Sequence, residues 1–276
     1  MGNSLRVISY NIRYNNPSDG NNAWPRRKAR VATLLQQYAP DLIGLQEVLK
    51  DQLDDLAERL PAFAWVGIGR DDGKTEGEYA PIFYRRDCFT LLAADTFWLS
   101  ETPHEPGSFG WDADCVRIAT WARLRHHASG STLLMLNTHF DHQGEQAQVE
   151  SALLLRRFLN DAPQRLPAVI TGDFNCTAQS WPYEILTTPS ETSGFPLLDT
   201  MLHTQTPHRG PRATWAGHFT DPLDGKIDFI FIWQTLSATA GAIPTLQVRH
   251  HAILDDKSEG CYPSDHLPVM AEIEIR

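Results

Sequence analysis

The sequence predicts one α/β domain made of two packed β-sheets with helices on the outside. Eleven short apolar runs have the length and composition of strands, and helical patterns fall between only some of them. Eleven strands are too many for one sheet of ordinary size, so we expect two sheets packed face to face. No linker rich in Gly, Ser or Pro divides the 276 residues, and we expect a single domain over residues 1–276.

The predicted strands are distributed along the whole chain. They cover residues 5–10, 42–46, 64–68, 81–84, 91–99, 118–124, 133–140, 168–171, 226–233, 245–254 and 268–275. Apolar residues at helical spacing predict helices over 25–38, 51–60 and 144–160, and a shorter helix near Ser180. Pro25 suits the first turn of its helix, which is predicted to end before Pro40. Segments 100–114 and 190–196 are predicted to be surface loops.

Composition and charge exclude several classes of protein. The formal net charge is −10, which argues against tight binding of a long nucleic acid through a basic face. No apolar run approaches the roughly 20 residues that span a bilayer, and no secretory signal region is seen, so we expect a cytoplasmic protein without membrane insertion. The four cysteines form no CxxC pair and are expected to be free thiols. A monomer is the default expectation.

Acidic, amide and imidazole side chains recur where strand-like runs stop, and a strand end can hold such a group at an opening. They are Asn11, Glu47, His139, Asp173, Asn175, Asp228, Asp265 and His266. Alone, each has an ordinary alternative, such as a helix cap, a turn residue or a hydrogen-bonded loop histidine. A buried unpaired carboxylate, as Asp228 would be inside its apolar strand, is costly. The combination therefore indicates a functional site.

The chemistry available to this set is metal-assisted phosphoester hydrolysis. Mg²⁺ prefers oxygen ligands and keeps several waters, so Glu47 and Asp265 are candidate ligands. Asn11 could be a neutral oxygen ligand or an amide that orients phosphate, and Mn²⁺ is the alternative cation. In-line attack at phosphorus needs a positioned water and donors around the phosphoryl oxygens. Asp173 could accept the proton of that water, and Asn175 could orient the water or the phosphate.

Two histidines are candidate donors to the phosphate oxygens. His139 and His266 each need a partner that fixes the tautomer of the ring. Asp228 is available for His266, and Glu78 is available for His139. We therefore include both carboxylates in the predicted catalytic set.

The same residues lie in six segments, SYNIRY, LIGLQEV, LNTHFD, TGDFN, KIDFIFI and SDHLPV, in this order along nearly the whole chain. Together they resemble the endonuclease/exonuclease/phosphatase (deoxyribonuclease-like) superfamily, and the segment RDDGKTEGEYAPIFYRR resembles its bacterial metal-dependent hydrolase branch. The resemblance implies a four-layered α/β sandwich, with two mixed β-sheets packed face to face and helices outside. It implies the roles given above, and it places Glu78 where the deoxyribonuclease branch has the carboxylate that orients the histidine.

Candidate residues of the substrate pocket are basic or aromatic. They are Arg70, Lys74, Arg117 and Trp215. Arg117 could meet a phosphate with two parallel hydrogen bonds, or it could form an ordinary salt bridge. Trp215 could stack on a base or a sugar.

Four further residues near these segments remain open between a functional and a structural role. Trp98 and Trp111 could also stack on a substrate, although the apolar run before Trp98 favours burial in the core. Asp141 and His142 could help to bind metal or substrate, or they could cap the following helix.

The sequence therefore predicts an Mg²⁺-dependent hydrolase of a phosphodiester or phosphomonoester that acts through an activated water. A nucleic-acid strand end, a small phosphorylated metabolite or sugar, and a phospholipid head group remain open as substrates. The acidic charge favours a small or single-stranded one. The alternatives are a non-catalytic module of the same fold that binds a phosphorylated ligand, and a two-metal His/Asp-rich hydrolase, whose Gly-Asn-His-Asp segment is missing here.

Overall fold

A computed structural model of the chain describes residues 3–161, 166–189, 195–220, 223–234, 244–258 and 260–276. Its strands are β1 (Ser4–Asn11), β2 (Leu42–Gln46), β3 (Phe63–Val66), β4 (Ile82–Arg85), β5 (Phe89–Trp98), β6 (Ile118–His126), β7 (Thr132–His139), β8 (Ala168–Asp173), β9 (Leu198–Asp199), β10 (Asp228–Trp233), β11 (Leu246–Ile253) and β12 (Val269–Ile275). Its helices are α1 (Trp24–Tyr38), α2 (Lys50–Arg59), α3 (Glu145–Asp161) and α4 (Trp181–Thr187), and a 3-10 helix (Pro17–Asn22) precedes α1.

The strands form two mixed six-stranded sheets. The first has the order β11-β12-β1-β2-β4-β3 and the second the order β5-β6-β7-β8-β10-β9. Each contains one parallel pair, β1 with β2 and β7 with β8, and the chain crosses between the members of each pair through a helix. Parallel strands end at the same edge of a sheet. The parallel pairing therefore brings the polar residues at these strand ends to one edge of each sheet.

Alternating side chains of the strands build four layers. Val7 of β1 and Val169 of β8 belong to the apolar core between the sheets. Ile8 of β1 packs on the side of α1 and α2, and Ile170 of β8 packs on the side of α3 and α4. The predicted four-layered sandwich, with two mixed sheets face to face and helices outside, is confirmed.

The predicted elements agree closely with the structure. All eleven predicted strands are present with ends displaced by two residues or fewer, and the four predicted helices are present. Two elements were not predicted: β9, whose two residues are too few for an alternating pattern, and the 3-10 helix. Segment 100–114 has no helix or strand, as predicted, whereas residues 190–194 of the other predicted loop lie outside the described residues. No helix in the described part of the chain has the length and apolarity needed to cross a membrane.

A buried amide joins the two sheets beneath the polar strand ends. Asn137 of β7 donates from Nδ2 to the carbonyl oxygens of Leu45 at 2.7 Å and Pro81 at 3.0 Å. Its Oδ1 accepts from Gln46 Nε2 at 2.6 Å and from Thr171 Oγ1 at 2.9 Å. Buried polar groups are stable only when they are paired, and here each sheet supplies partners to the other. The network therefore fixes the separation of the sheets at this end.

A buried arginine holds the loops that follow β1 and precede β12. Arg27 of α1 is 0% exposed, and burial lowers its pKa to about 10. Its guanidinium donates hydrogen bonds to five main-chain carbonyl oxygens, those of Ile12, Arg13, Tyr14, Asn22 and Pro263. These carbonyls belong to segments next to Asn11 and to the SDH motif. Helix α1 thereby positions two of the segments that carry predicted site residues.

Because the two sheets approach closely at Gly44, we predict that a larger residue at this position lowers the stability of the protein. A Cβ at this position would lie 2.0 Å from Thr171 Oγ1 and 2.5 Å from Asn137 Oδ1. Gly44→Ala should lower the free energy of unfolding by about 1–3 kcal/mol, because overpacking displaces well-packed groups. Urea denaturation measures this loss. Thr171→Ala should recover part of it in the double variant, since the nearest atom is removed. An unchanged midpoint for Gly44→Ala would contradict the close approach.

Candidate active site

A cavity of about 680 Å³ opens where the polar strand ends of the two sheets meet. Its wall contains carboxylates, arginines, histidines and one exposed aromatic ring. The lining residues are Arg13, Tyr14, Glu47, Arg70, Glu78, Asp114, Cys115, Arg117, His139, His142, Asp173, Asn175, Trp215, Ile227, Asp265 and His266. The structure thus brings most of the predicted site residues to one cavity.

The centre of the cavity is a hydrogen-bonded set built from both sheets. Asp228 begins β10 and lies opposite Asp173, the last residue of β8. Asp228 Oδ2 lies 2.9 Å from His266 Nδ1, as predicted for this pair. His266 Nε2 faces Asp173 Oδ2 at 3.7 Å, and Asn11 Nδ2 donates to the same oxygen at 2.9 Å. The Nδ1 atom of His266 is therefore fixed by Asp228, and the Nε2 atom is turned toward the cavity.

Charges in this set shift one another strongly. Burial disfavours the charged ring of His266, but the carboxylates of Asp228 and Asp173 outweigh burial and raise the pKa of His266 well above its ordinary value. Burial and the Asp228 carboxylate raise the pKa of Asp173 to about 7. At neutral pH the set therefore holds a protonated imidazole beside a carboxyl group that can accept or release a proton.

Asn175 and His139 form the neighbouring part of the wall. The backbone N–H of Asn175 donates to Asp173 Oδ1 at 3.0 Å. Its side-chain Nδ2 donates to the carbonyl of Phe140 at 2.9 Å and lies 3.0 Å from His139 Nε2. Since Nδ2 is a donor, His139 Nε2 accepts, and the proton of the neutral ring lies on Nδ1. Burial and the nearby Arg117 and Arg70 hold the pKa of His139 well below its ordinary value.

The predicted pairing of Glu78 with His139 is corrected by the structure. Glu78 Oε2 accepts from Arg70 Nη1 at 2.7 Å and lies 3.9 Å from Arg117 Nη1. Among the described residues, His139 Nδ1 has no hydrogen-bond partner. The carboxylate is drawn to two guanidinium groups because they carry full positive charge, whereas the buried ring is neutral. Glu78 thus lies in the cavity with arginines as its partners.

Glu47 and Asp265 form the acidic side of the cavity. Glu47 follows β2 with φ of 60°, a left-handed conformation that is strained for this residue, and it accepts from Asn11 Nδ2 at 2.9 Å and from the Tyr14 N–H at 3.1 Å. Burial would raise the pKa of Glu47, but the His266 charge and these hydrogen bonds hold it below its usual value. Burial raises the pKa of Asp265, and the charge of Glu47 adds to the rise.

These oxygen donors suit a hard divalent cation. The charge of Glu47 disfavours ionisation of Asp265, and a cation such as Mg²⁺ would neutralise these two carboxylates. Asp173, Asp228 and His266 also have ligand atoms within 4.8 Å of one another. In that trio, however, His266 Nδ1 is already occupied by Asp228. Glu47 and Asp265 are therefore the better candidates, whereas Asn11 Nδ2 donates to Glu47 and Asp173 and its Oδ1 accepts from the Arg13 N–H at 3.0 Å.

The candidates for substrate contact divide into two groups. Arg70, Arg117 and Trp215 line the cavity, and Trp215 is 40% exposed. Lys74 is exposed and does not line it, and its backbone N–H donates to Asp72 Oδ1 at 2.8 Å. Trp98 is buried, as the apolar run before it favoured.

Three more predicted positions have structural surroundings. Trp111 lines a separate groove beside α3. Asp141 accepts from the backbone N–H groups of residues 114, 115, 143 and 144, so it ties the preceding loop to the start of α3. His142 lines the cavity and lies 3.4 Å from Arg117 Nη2. These contacts of Asp141 lie ahead of α3, whose first turn is capped instead by Asp112, which accepts from the N–H groups of Gln146 and Ala147.

Sequence reasoning missed several residues of the site. Arg13 lines the cavity 3.8 Å from Asp265, and Ser264 Oγ donates to the main chain of Asn11 at 2.8 Å. Tyr14 contributes its backbone N–H. Arg13 and Tyr14 belong to the SYNIRY segment, and this was the sequence signal that could have identified them as site residues. Their contacts depend on how the chain turns after β1, which the pattern of apolar residues does not describe.

Known proteins resemble this chain over its whole length. The structure of an endonuclease/exonuclease/phosphatase from Bacteroides vulgatus is 41% identical, covers 99% of both chains and superposes with a TM-score of 0.89. A mannosyl-6-phosphatase of Bacteroides thetaiotaomicron VPI-5482 is 34% identical, covers 98% of this chain and 99% of its own, and gives a TM-score of 0.87.

More distant relatives are larger proteins. The CCR4-Not complex 3'-5'-exoribonuclease subunit Ccr4 of Saccharomyces cerevisiae is 21% identical over 92% of this chain and 35% of its own length. This chain spans little more than a third of the length of the curated relatives that it matches first. A family model described as Endonuclease/Exonuclease/phosphatase family matches residues 8–266. With the confirmed sandwich fold and the relatives above, the chain therefore belongs to the Endonuclease/Exonuclease/phosphatase family.

Proposed function

We propose that the chain is a metal-dependent phosphoesterase that hydrolyses its substrate with an activated water. The observation that carries this proposal is the convergence of Asp173, Asn11 and the His266–Asp228 pair on one face of the cavity. A site that only bound phosphate would not need a carboxyl group with its pKa near 7 beside a charged imidazole.

In this proposal Asp173 accepts the proton of the attacking water. A general base works best when its pKa lies near the working pH, and burial with the Asp228 charge brings the pKa of Asp173 to about 7. The charged His266 donates to a phosphoryl oxygen, where negative charge grows during attack. Asp228 keeps that ring protonated and oriented. Asn175 offers its amide oxygen, since its nitrogen is engaged by His139 and Phe140.

Glu47 and Asp265 are proposed to hold the divalent cation, with Mg²⁺ preferred and Mn²⁺ as the alternative, and Asn11 holds Glu47 in place through its Nδ2. When bound, the cation would neutralise negative charge on the phosphate and on the leaving oxygen. Arg13 lies 3.8 Å from Asp265 Oδ2 and limits the excess negative charge of this wall.

A monoester of a small, hydroxyl-bearing molecule is the proposed substrate. The similar mannosyl-6-phosphatase at 34% identity supports it, and so does the net charge of −10, which disfavours a long polyanion. Cleavage of a phosphodiester at a nucleic-acid end is the second candidate. The similarity to the exoribonuclease subunit and the exposed ring of Trp215 at the cavity favour that second candidate.

Hydrolysis of chromogenic substrates tests the proposed function. We expect release of 4-nitrophenol from the monoester or the diester with Mg²⁺ or Mn²⁺, and none with chelator. His266→Ala should abolish the release, and the better ester separates phosphatase from diesterase. Release that persists in chelator would contradict a metal-dependent mechanism. Wild type that binds phosphate but hydrolyses no ester with any metal would favour the non-catalytic binding module.

Asp173→Asn should lower kcat by roughly 10²–10⁴-fold, because an amide cannot accept the proton of the water. Steady-state kinetics at saturating substrate measure this loss. Asp54→Asn is the matched control, since Asp54 is exposed on α2 and pairs with Lys50. The control should keep the wild-type rate, and a near-wild-type kcat for Asp173→Asn would remove Asp173 from the role of base.

Glu47→Gln should raise the Mg²⁺ concentration required for half-maximal activity by roughly tenfold or more, because a charged oxygen ligand is lost. A metal titration of the initial rate gives this value. Glu58→Gln changes an exposed glutamate on α2 and should leave the titration unchanged. If both variants titrate like wild type, Glu47 does not bind the metal.

A further inference from the structure

Two arginines share one carboxylate in the cavity wall. Glu78 Oε2 lies 2.7 Å from Arg70 Nη1 and 3.9 Å from Arg117 Nη1. The side chains of the arginines are 15% and 7% exposed, and that of Glu78 is 18% exposed. Arg70 and Glu78 lie on the loop between β3 and β4, whereas Arg117 directly precedes β6 of the other sheet. Glu78 thus links the two sheets through their loops at the mouth of the site.

Each arginine also has a second carboxylate within ion-pair distance of its Nε, although neither Nε makes a hydrogen bond to the described residues. Arg70 Nε lies 3.7 Å from Asp71 Oδ1, and the carbonyl of Arg70 accepts from Trp98 Nε1 at 2.7 Å. Arg117 Nε lies 3.8 Å from Asp141 Oδ2. Flexible cationic side chains lose much of their freedom in such an arrangement, so little entropy remains to be lost when they bind a ligand.

The charges around the arginines indicate what they would bind. Glu78, Asp71 and Asp141 already compensate the two positive charges, so the pair has little attraction left for a second anion. Guanidinium N–H groups remain good donors to neutral oxygens. A donor-rich wall without surplus charge suits hydroxyl groups better than a second phosphate.

The arginines stand next to the reaction centre. Both line the same cavity as His139, and His139 Nε2 lies 3.4 Å from Asp173 Oδ2. Glu47 and Asp265 line the same cavity, but the arginine that Asp265 meets is Arg13, not Arg70 or Arg117. The arginine pair is thus placed to contact the molecule that is esterified to the phosphate.

We propose that Glu78 is a positioning residue for Arg70 and Arg117, and that this arginine pair binds the hydroxyl groups of the esterified molecule. The inference deepens the proposed function and rests on it for the identity of the substrate. It gives Glu78 a role in substrate selection instead of the orientation of His139. The Nδ1 atom of His139 has no partner among the described residues, in agreement with this division.

Binding measured by calorimetry in the presence of chelator tests the proposal without turnover. The probes are a hexose 6-phosphate and inorganic phosphate. Glu78→Gln should weaken binding of the hexose 6-phosphate roughly tenfold, as the loss of a charge-assisted hydrogen bond implies, and should change binding of inorganic phosphate less than about twofold. Glu76→Gln is the control on the same loop, because this exposed glutamate lies outside the cavity lining. It should bind both probes like wild type.

A double-variant cycle identifies the partner of Glu78. In an Arg70→Met background, Glu78→Gln should weaken binding of the hexose 6-phosphate less than it does in wild type, whereas in a His139→Ala background its full effect should persist. The opposite pattern, or equal weakening of both probes by Glu78→Gln, would overturn the proposal. Should Glu78→Gln fold poorly in thermal unfolding, Glu78→Asp keeps the charge, shortens the reach and should weaken the same probe.

The experiments distinguish failure of the proposed hydroxyl site from failure of the proposed function. Wild type that binds inorganic phosphate but not the hexose 6-phosphate would overturn the hydroxyl site, while metal-dependent hydrolysis of another ester would keep the proposed function. Absence of hydrolysis of every ester would overturn the proposed function, and the binding cycle would still decide the role of Glu78. With an active wild type, Glu78→Gln should also raise KM for the hexose 6-phosphate by a larger factor than KM for 4-nitrophenyl phosphate.

Discussion

The close approach of the two sheets at one end is the constraint on which the site depends. The first sheet and its loops supply Asn11, Glu47, Asp265 and His266, and the second sheet supplies His139, Asp173 and Asp228. No pair across this boundary could keep its distance if the sheets slid or separated. Asn137 prevents such movement by bonding to both sheets, and Gly44 allows the approach because it has no side chain. Hydrogen bonds between polar residues below the site thus fix the two sheets relative to each other. An apolar core alone could not do so, because apolar packing is non-directional.

The ionisation of each buried group in the site depends on the charge of its neighbours. Asp228 keeps His266 protonated, and its charge together with burial also makes Asp173 harder to ionise. Charges brought out of water are costly unless they are paired, and the single imidazolium lies among several carboxylates. The excess of negative charge at Glu47 and Asp265 is the physical reason that a cation suits this wall. The same residues therefore account for the electrostatic strain of the site and for the negative charge that the proposed cation would neutralise.

Much of the fold and the positions of the site could be read from the sequence, because apolar runs end where the chain must leave a sheet. Asp173, Asp228 and the SDH motif stand at such ends, and the pairing of Asp228 with His266 followed from their chemistry. The partner of Glu78 could not be read in this way. It depends on Arg70 and Arg117, which two loops of different sheets bring together, and no local pattern encodes that meeting. The contacts of Arg13 and the hydrogen bonds of Arg27 could not be predicted from the sequence for the same reason.

Arg27 has a consequence for how such a site could change during evolution. Its guanidinium holds the loops through their main-chain carbonyl oxygens and lies over the rings of Trp24 and Phe219, so this anchor does not depend on the side chains at positions 13 and 14. Substitutions at positions such as 13 or 14 can alter the cavity while the loop path is retained. Because the loops are held through their backbone, the shape of the site can be retained while its substrate selectivity changes. New substrates can then be explored by changes of single residues that leave the geometry of the reacting groups in place.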